Sequence, residues 1–158
     1  MQPVKEVEFE RTYPMPVEKV WRAWTDPEQL KQWWGPDHTS IPECRVDLRV
    51  GGEFYIVMLA GEAMGPYAGT RWPMRAIYTV VDENVRLSYN AQAWTEGMEA
   101  TTMIEDVSEL TFGERDGHTT IHLKSVLIKT GPDAGMAAEG MQQGYEQQFE
   151  KLATFLAS

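Results

Sequence analysis

The stretch GMAAEGMQQGYEQQFEKLATFLA, Gly135 to Ala157, decides the fold. It has no proline, and Met141, Tyr145, Gln148, Leu152 and Phe155, with Phe149 and Leu156 beside them, recur at three- and four-residue steps. That period puts them on one side of a single long amphipathic helix. Glu139, Gln143, Glu146, Gln147, Glu150 and Lys151 fall on the opposite, wet side. Almost everything periodic upstream alternates with period two, as a half-buried strand does. Together the two patterns predict one helix lying in the hollow of an antiparallel sheet. The space between them becomes the place to look for function.

Outward from that helix, Ala100–Phe112 and Thr119–Ile128 read as a strand pair joined through Asp116-Gly117, a strong turn signal. In the second of these, Ile121, Leu123, Ser125 and Leu127 face one way, and Thr120, His122 and Lys124 the other. Thr70–Val81 and Val85–Trp94 form the preceding pair, joined by Asp82-Glu83-Asn84. Ala60–Thr70, with Gly61, Gly65, Pro66 and Gly69, reads as a mobile loop at a rim. Before it, Cys44, Val46, Leu48 and Val50 keep a parity that continues through Gly51-Gly52 into Phe54, Ile56 and Met58, giving two strands with one apolar face. Two short helices precede these. Pro16 suits the first turn of one, whose face is Val17, Val20, Trp21 and Trp24; Asp26-Pro27-Glu28 opens the other, with Leu30, Trp33 and Trp34 inside and Gly35-Pro36 as its stop. Val4–Thr12 is the first strand, burying Val7 and Phe9. The sum is about seven strands, two small helices and one long one, and neither a linker nor an internal repeat interrupts residues 1–158, so one domain is expected.

Composition narrows the function classes. A net charge of -10 opposes binding to nucleic acid or to anionic membrane surfaces. No apolar run approaches the length of a membrane span, and Met1–Arg11 lacks the apolar core of a signal peptide, so a cytoplasmic location is expected. The single cysteine, Cys44, fits a reducing compartment and reads as a small hydrophobe in a strand.

The chain resembles the activator of Hsp90 ATPase homologue 1-like (AHSA1-like) family, within the START and Bet v 1-like helix-grip (SRPBCC) superfamily. The residues that carry the resemblance are Pro16-Val17-Glu18-Lys19-Val20-Trp21-Arg22-Ala23-Trp24-Thr25, then Leu30 with Trp33-Trp34-Gly35-Pro36. They continue through Asp47-Leu48-Arg49-Val50-Gly51-Gly52-Glu53-Phe54 and Met58, Asn84-Val85-Arg86-Leu87, and Gly144-Tyr145 with Leu152. Two positions depart from the family pattern: its usual proline is replaced around Val81-Asp82-Glu83, and its common tryptophan after the helix glycine is Tyr145. The resemblance implies an α+β helix-grip fold, in which a curved seven-stranded antiparallel sheet wraps the terminal helix. It also implies a cavity that across the superfamily holds lipids, sterols or polyketides and in some branches is an active site.

Residue chemistry adds little that is catalytic. His38, His118 and His122 are scattered, with neither a His-x-x-x-His nor a cysteine pair, so no metal is expected. Ser40, Ser88, Ser108 and Ser125 sit in no nucleophile elbow, and the glycines 61, 65 and 69 form no phosphate loop. Asp47 and Arg49 are expected to make a surface ion pair, and Glu96, Glu99, Glu105 and Asp106 to be solvated loop charges. Six tryptophans and nine methionines, by contrast, are more bulk than a sheet-on-helix core requires. Trp33, Trp34, Phe54, Met58, Trp72, Met74, Tyr78, Tyr89, Met103, Met141, Tyr145 and Phe149 are the residues expected along the hollow. They suit an apolar, deformable pocket with a few phenol and indole donors.

The leading expectation is therefore a small-molecule-binding protein that shelters one hydrophobic, ring-containing or lipid-like ligand without a cofactor, with Ala60–Thr70 and Glu96–Glu99 as lids. An enzyme of the polyketide cyclase or dehydratase kind is the alternative; it requires a buried acid or histidine in the pocket, and the absence of a catalytic signature leans away from it. A protein-interaction or chaperone-assisting module, or a homodimer, would need an exposed apolar patch, for which Tyr55, Val57 and Leu59 are the candidates.

Overall fold

Alternating burial along each strand assembles one seven-stranded antiparallel sheet, in a computed structural model that describes residues 5–158. The strands are β1 (Lys5–Tyr13), β2 (Thr39–Val46), β3 (Glu53–Ala60), β4 (Arg71–Asp82), β5 (Arg86–Ala93), β6 (Ile104–Arg115) and β7 (His118–Thr130). Their order is β1-β7-β6-β5-β4-β3-β2, so the first two strands form the edges, β1 pairs with the last strand, β7, and each remaining pairing joins chain neighbours. The inward faces of all seven make the curved surface that the resemblance implied. Val4, placed in the first strand by its pattern, lies outside the described residues.

Two helices, α1 (Val17–Thr25) and α2 (Pro27–Trp33), link β1 to β2. Asp26 caps α2 by accepting the Glu28 N–H at 3.0 Å, as the Asp-Pro-Glu start foretold. At its other end Gly35 turns with φ 89°, where a Cβ would stand 2.7 Å from Thr39 Oγ1. The terminal stretch is two helices, α4 (Gly135–Glu139) and α5 (Met141–Ala157), rather than one. Hydrogen bonds still run through Gly140, whose N–H donates to Met136 O at 2.9 Å. However, glycine is the weakest helix former here, and no residue of α4 is buried to hold the axis straight. In α5, Gln148, Phe149, Leu152 and Leu156 are buried as their spacing predicts.

Other expectations need correction. Leu48 and Val50 do not continue β2: they lie in the connection to β3 and are 39% and 62% exposed. That connection must close on itself, since a Cβ at Gly52 would sit 2.0 Å from the Asp47 carbonyl oxygen. The rim segment after β3 holds a 3-10 turn, Glu62–Tyr67, broken at Gly65 (φ 60°). The predicted strand from Ala100 begins at Ile104 instead, because Glu99–Thr102 forms the short helix α3, where Thr102 returns its hydroxyl to Met98 O at 2.7 Å. Of the three candidates for an apolar patch on the outer face of β3, Val57 is wholly buried, Tyr55 is half-buried under the Arg45 guanidinium at 4.4 Å, and Leu59 is half-buried. Among the described residues no helix is long and apolar enough to cross a membrane.

Candidate ligand-binding site

Period-two geometry and the strand register place inward residues in rows across the sheet. One row runs Tyr78, Tyr89, Ser108, Ser125, Val7; the next Phe54, Ala76, Ala91, Asp106, Leu127; the third Ile56, Met74, Ala93, Ile104, Thr130. The backbone of α5 comes close to β1, α1 and α2 but stands off from the central strands, so side chains must bridge the gap.

They bridge it unevenly. At the end under α1 and α2, six of the twelve residues expected along the hollow are packed together: Trp33, Trp34, Phe54, Tyr78, Tyr89 and Phe149 are all 6% exposed or less. Trp34 meets the Phe54 ring edge-on at 5.4 Å, and Phe54 stacks on Tyr78 at 6.1 Å. Trp33 is committed to the helix pair, its indole N–H donating to Ala23 O at 2.9 Å. This end is core. The other six, Met58, Trp72, Met74, Met103, Met141 and Tyr145, are all partly exposed. Ala93 and Ile104 in the third row share that exposure.

The partly exposed end is where the β3–β4 and β5–β6 connections, the Gly35–His38 turn and the start of α5 converge. A groove of about 290 Å³ opens there, lined by Pro36, Asp37, His38, Met64, Gly140, Gln143, Gly144 and Gln147. Tyr67 of the 3-10 turn reaches Met136 of α4 at 3.4 Å, joining the rim segment to the terminal helices. A larger concavity, of about 750 Å³ and lined by Pro16, Glu18, Lys19, Arg22, Gln29, Phe155 and Ser158, lies outside the hollow. None of the twelve residues lines either concavity.

Between the filled and open ends sits the residue that sequence reasoning misplaced. Asp106 is buried, not a solvated loop charge: it is 9% exposed, and Ser108 Oγ donates to its Oδ1 at 2.9 Å. The Ser108 and Ser125 hydroxyls share a hydrogen bond of 3.0 Å, and the Tyr145 hydroxyl donates to Ser125 at 3.5 Å. Burial pushes the Asp106 carboxyl up to about 6, opposed only by the Ser108 hydrogen bond. Tyr89 is raised well above its ordinary value by burial first, then by Tyr145, Asp106 and Tyr78; Tyr145 is raised by burial and then by Asp106. Both phenols therefore remain protonated donors beside an ionisable acid. A signal for Asp106 existed in the sequence: the parity of Phe112 and Leu110, carried back two steps through Ser108, lands on it. Glu96, Glu99 and Glu105 keep water access, Glu105 accepting from Gln92 at 2.8 Å on the outer face.

The remaining polar candidates are structural. Asp47 and Arg49 pair at 2.9 Å on the surface. Cys44 lies in β2, half-buried, its thiol pushed up to about 12 by burial, which leaves it a poor nucleophile. Among the described residues no group of three His, Cys, Asp or Glu is placed to hold a metal ion.

Comparisons with known proteins agree with this architecture. The family described as Activator of Hsp90 ATPase homolog 1-like protein matches residues 14–157. A solved structure from Nitrosomonas europaea is similar over 96% of this chain and 94% of its own, at 27% identity and a TM-score of 0.73. One from Chromobacterium violaceum shares the fold at 20% identity and a TM-score of 0.75, covering 95% and 96%. The AHSA1 protein of Silicibacter pomeroyi does so at 21% identity and 0.72, covering 97% and 98%. No curated protein matches the chain. With the sheet order, the two helices after β1 and the terminal helix all in place, the chain belongs to the Activator of Hsp90 ATPase homolog 1-like family.

Proposed function

We propose that the protein binds one small hydrophobic, ring-containing molecule at the open end of the hollow, between α5 and the third inward row of the sheet. The observation that carries this reading is the contrast between the two ends. One is packed to exclusion, while at the other Met58, Met74, Met103, Met141 and Tyr145 remain partly exposed. Flexible, partly exposed thioethers suit ligands of varied outline. Tyr67, Met98 and Met136, exposed at 42%, 48% and 70%, add apolar surface to the segments that would close over a guest. A cytoplasmic location is part of the proposal.

A fluorescence titration with the neutral probe N-phenyl-1-naphthylamine tests it. Binding should enhance emission and raise the melting temperature, because a ligand held only by the folded state stabilises it. Ala93→Trp, which fills the third row at a half-buried position, should abolish binding without unfolding the protein. Undiminished binding to folded Ala93→Trp would place the probe elsewhere.

Asp106 favours a second reading, a cyclase- or dehydratase-like enzyme. A carboxyl near 6 is suited to taking a proton from carbon next to a carbonyl, with the C–H electron pair passing to the carbonyl oxygen under a hydrogen bond from Tyr145. Exchange of the methyl protons of 2-acetylnaphthalene in heavy water, faster with wild type than with Asp106→Asn, would support it. Equal rates would leave binding alone.

A further inference from the structure

The apolar end of a pocket says little about which guest it takes; a buried charge says more. Asp106 lies beside the open end, one row in from Ala93 and Ile104, with a carboxylate that nothing nearby neutralises. From β5 it is faced by Tyr89, from β7 by Ser125 and Leu127, and from α5 by Tyr145, none of them cationic. Lys5 shares its row beyond Leu127 on β1, but its ammonium donates to Ala138 O at 3.0 Å and Glu139 O at 3.4 Å. Lys129 faces Glu105 instead, 4.0 Å away. Among the described residues no lysine, arginine or histidine is paired with Asp106.

The approach to the site has the same sign. Asp37, Glu62, Glu96, Glu99, Asp133 and Glu139 are exposed on the segments around the open end, in a chain of net charge -10. Arg71 there is already paired with Glu96 at 3.3 Å. Such a rim repels anions and concentrates cations at the mouth. Inside, the groups that sense the carboxylate are the uncharged phenols of Tyr89 and Tyr145, which leave its charge unbalanced.

We propose, resting on the binding reading above, that Asp106 is the ligand's polar anchor and that the ligand class is a hydrophobic amine. The ammonium donates to the Asp106 carboxylate beside Tyr89 and Tyr145, and the apolar body lies along Met74, Ala93 and Ile104 of the third row. An ammonium replaces the missing counter-charge, which a hydroxyl of the same size does not supply. Ser108 and Ser125 hold the carboxylate in place and are positioning residues.

The test is calorimetric titration of wild type and Asp106→Asn with 2-(2-naphthyl)ethylamine and, as its neutral counterpart, 2-(2-naphthyl)ethanol. Near neutral pH the amine should bind wild type at least about tenfold more tightly than the alcohol. That preference should close at about pH 5, where the carboxyl is protonated, since its value is raised to about 6. Asp106→Asn should bind the amine no more tightly than it binds the alcohol. Alcohol binding with no preference for the amine would overturn the anchor and leave the hydrophobic pocket standing, whereas failure of both probes with wild type would remove both readings. The wild-type comparison at two pH values decides the question even if the variant proves unstable.

Discussion

At the scale of single residues, Asp106 carries a cost as well as a use. Its carboxyl, ordinarily at 3.8, is raised to about 6 by burial. Between those values the folded chain keeps a proton that the unfolded chain has released, so this group makes stability fall as pH rises through the window, with the loss complete above it. The shift corresponds to at most about 3 kcal/mol. Asp106→Asn retains an acceptor for Ser108 without the charge. It should match wild type near pH 4 and exceed it by roughly 2 kcal/mol above neutrality. Urea unfolding of both proteins across that range checks this, and a difference that did not change with pH would contradict it. The residue was misplaced because Glu105 and Asp106 look alike in a list of charges, yet they fall on opposite faces of β6, at a register shift against β7. Only the neighbours at two-residue steps distinguish them.

At the scale of elements, α5 is held by polar side chains as well as by apolar ones. Gln148 accepts the buried Gly35 N–H at 2.8 Å, and Gln147 accepts the Asp37 N–H at 3.0 Å. Lys151 donates to the Trp34 and Gly35 carbonyls at 3.2 Å, satisfying groups left free where α2 ends. Burial lowers the Lys151 ammonium, the Asp37 carboxylate opposing the shift. This clasp fixes one wall of the groove. Gln148→Ala should destabilise by about 1–3 kcal/mol because it leaves a buried N–H unpaired, whereas Gln147→Ala, at a half-buried position with a solvent-exposed hydrogen bond, should cost less than about 1 kcal/mol. Equal midpoints in denaturant for the two variants would show that the clasp is not carried by Gln148. The three- and four-residue period revealed the buried stripe of Phe149, Leu152 and Leu156 because packing follows period. It hid the break at Gly140, since no proline marks it and glycine is compatible with either outcome. Gln148 belonged to the inward stripe by spacing, but its partner lies 113 positions away and no local pattern announces it.

For the whole molecule, strand parity and turn chemistry sufficed to find seven strands and pair six of them as hairpins, because each hairpin joins neighbours and each register buries one face, whereas the pairing of β1 with β7 spans the whole chain and left no local mark. Which part of the concave face stays open was a different kind of question. Trp33, Phe54, Tyr89, Met74 and Met141 are all bulky and inward, and whether such a side chain fills or lines depends on how far α5 stands from each strand. That distance is set by α1, α2 and β1, through contacts distant in sequence. The central claim, a binding site confined to the open end, is tested most directly by the ε-methyl resonances of methionine in protein labelled with [methyl-13C]methionine and titrated with N-phenyl-1-naphthylamine. Met58, Met74, Met103 and Met141 should shift together and saturate at one equivalent of probe, while Met15, beside Lys19 at the filled end, stays in place. Shifts confined to Met15, or none in those four at saturating probe, would contradict the account.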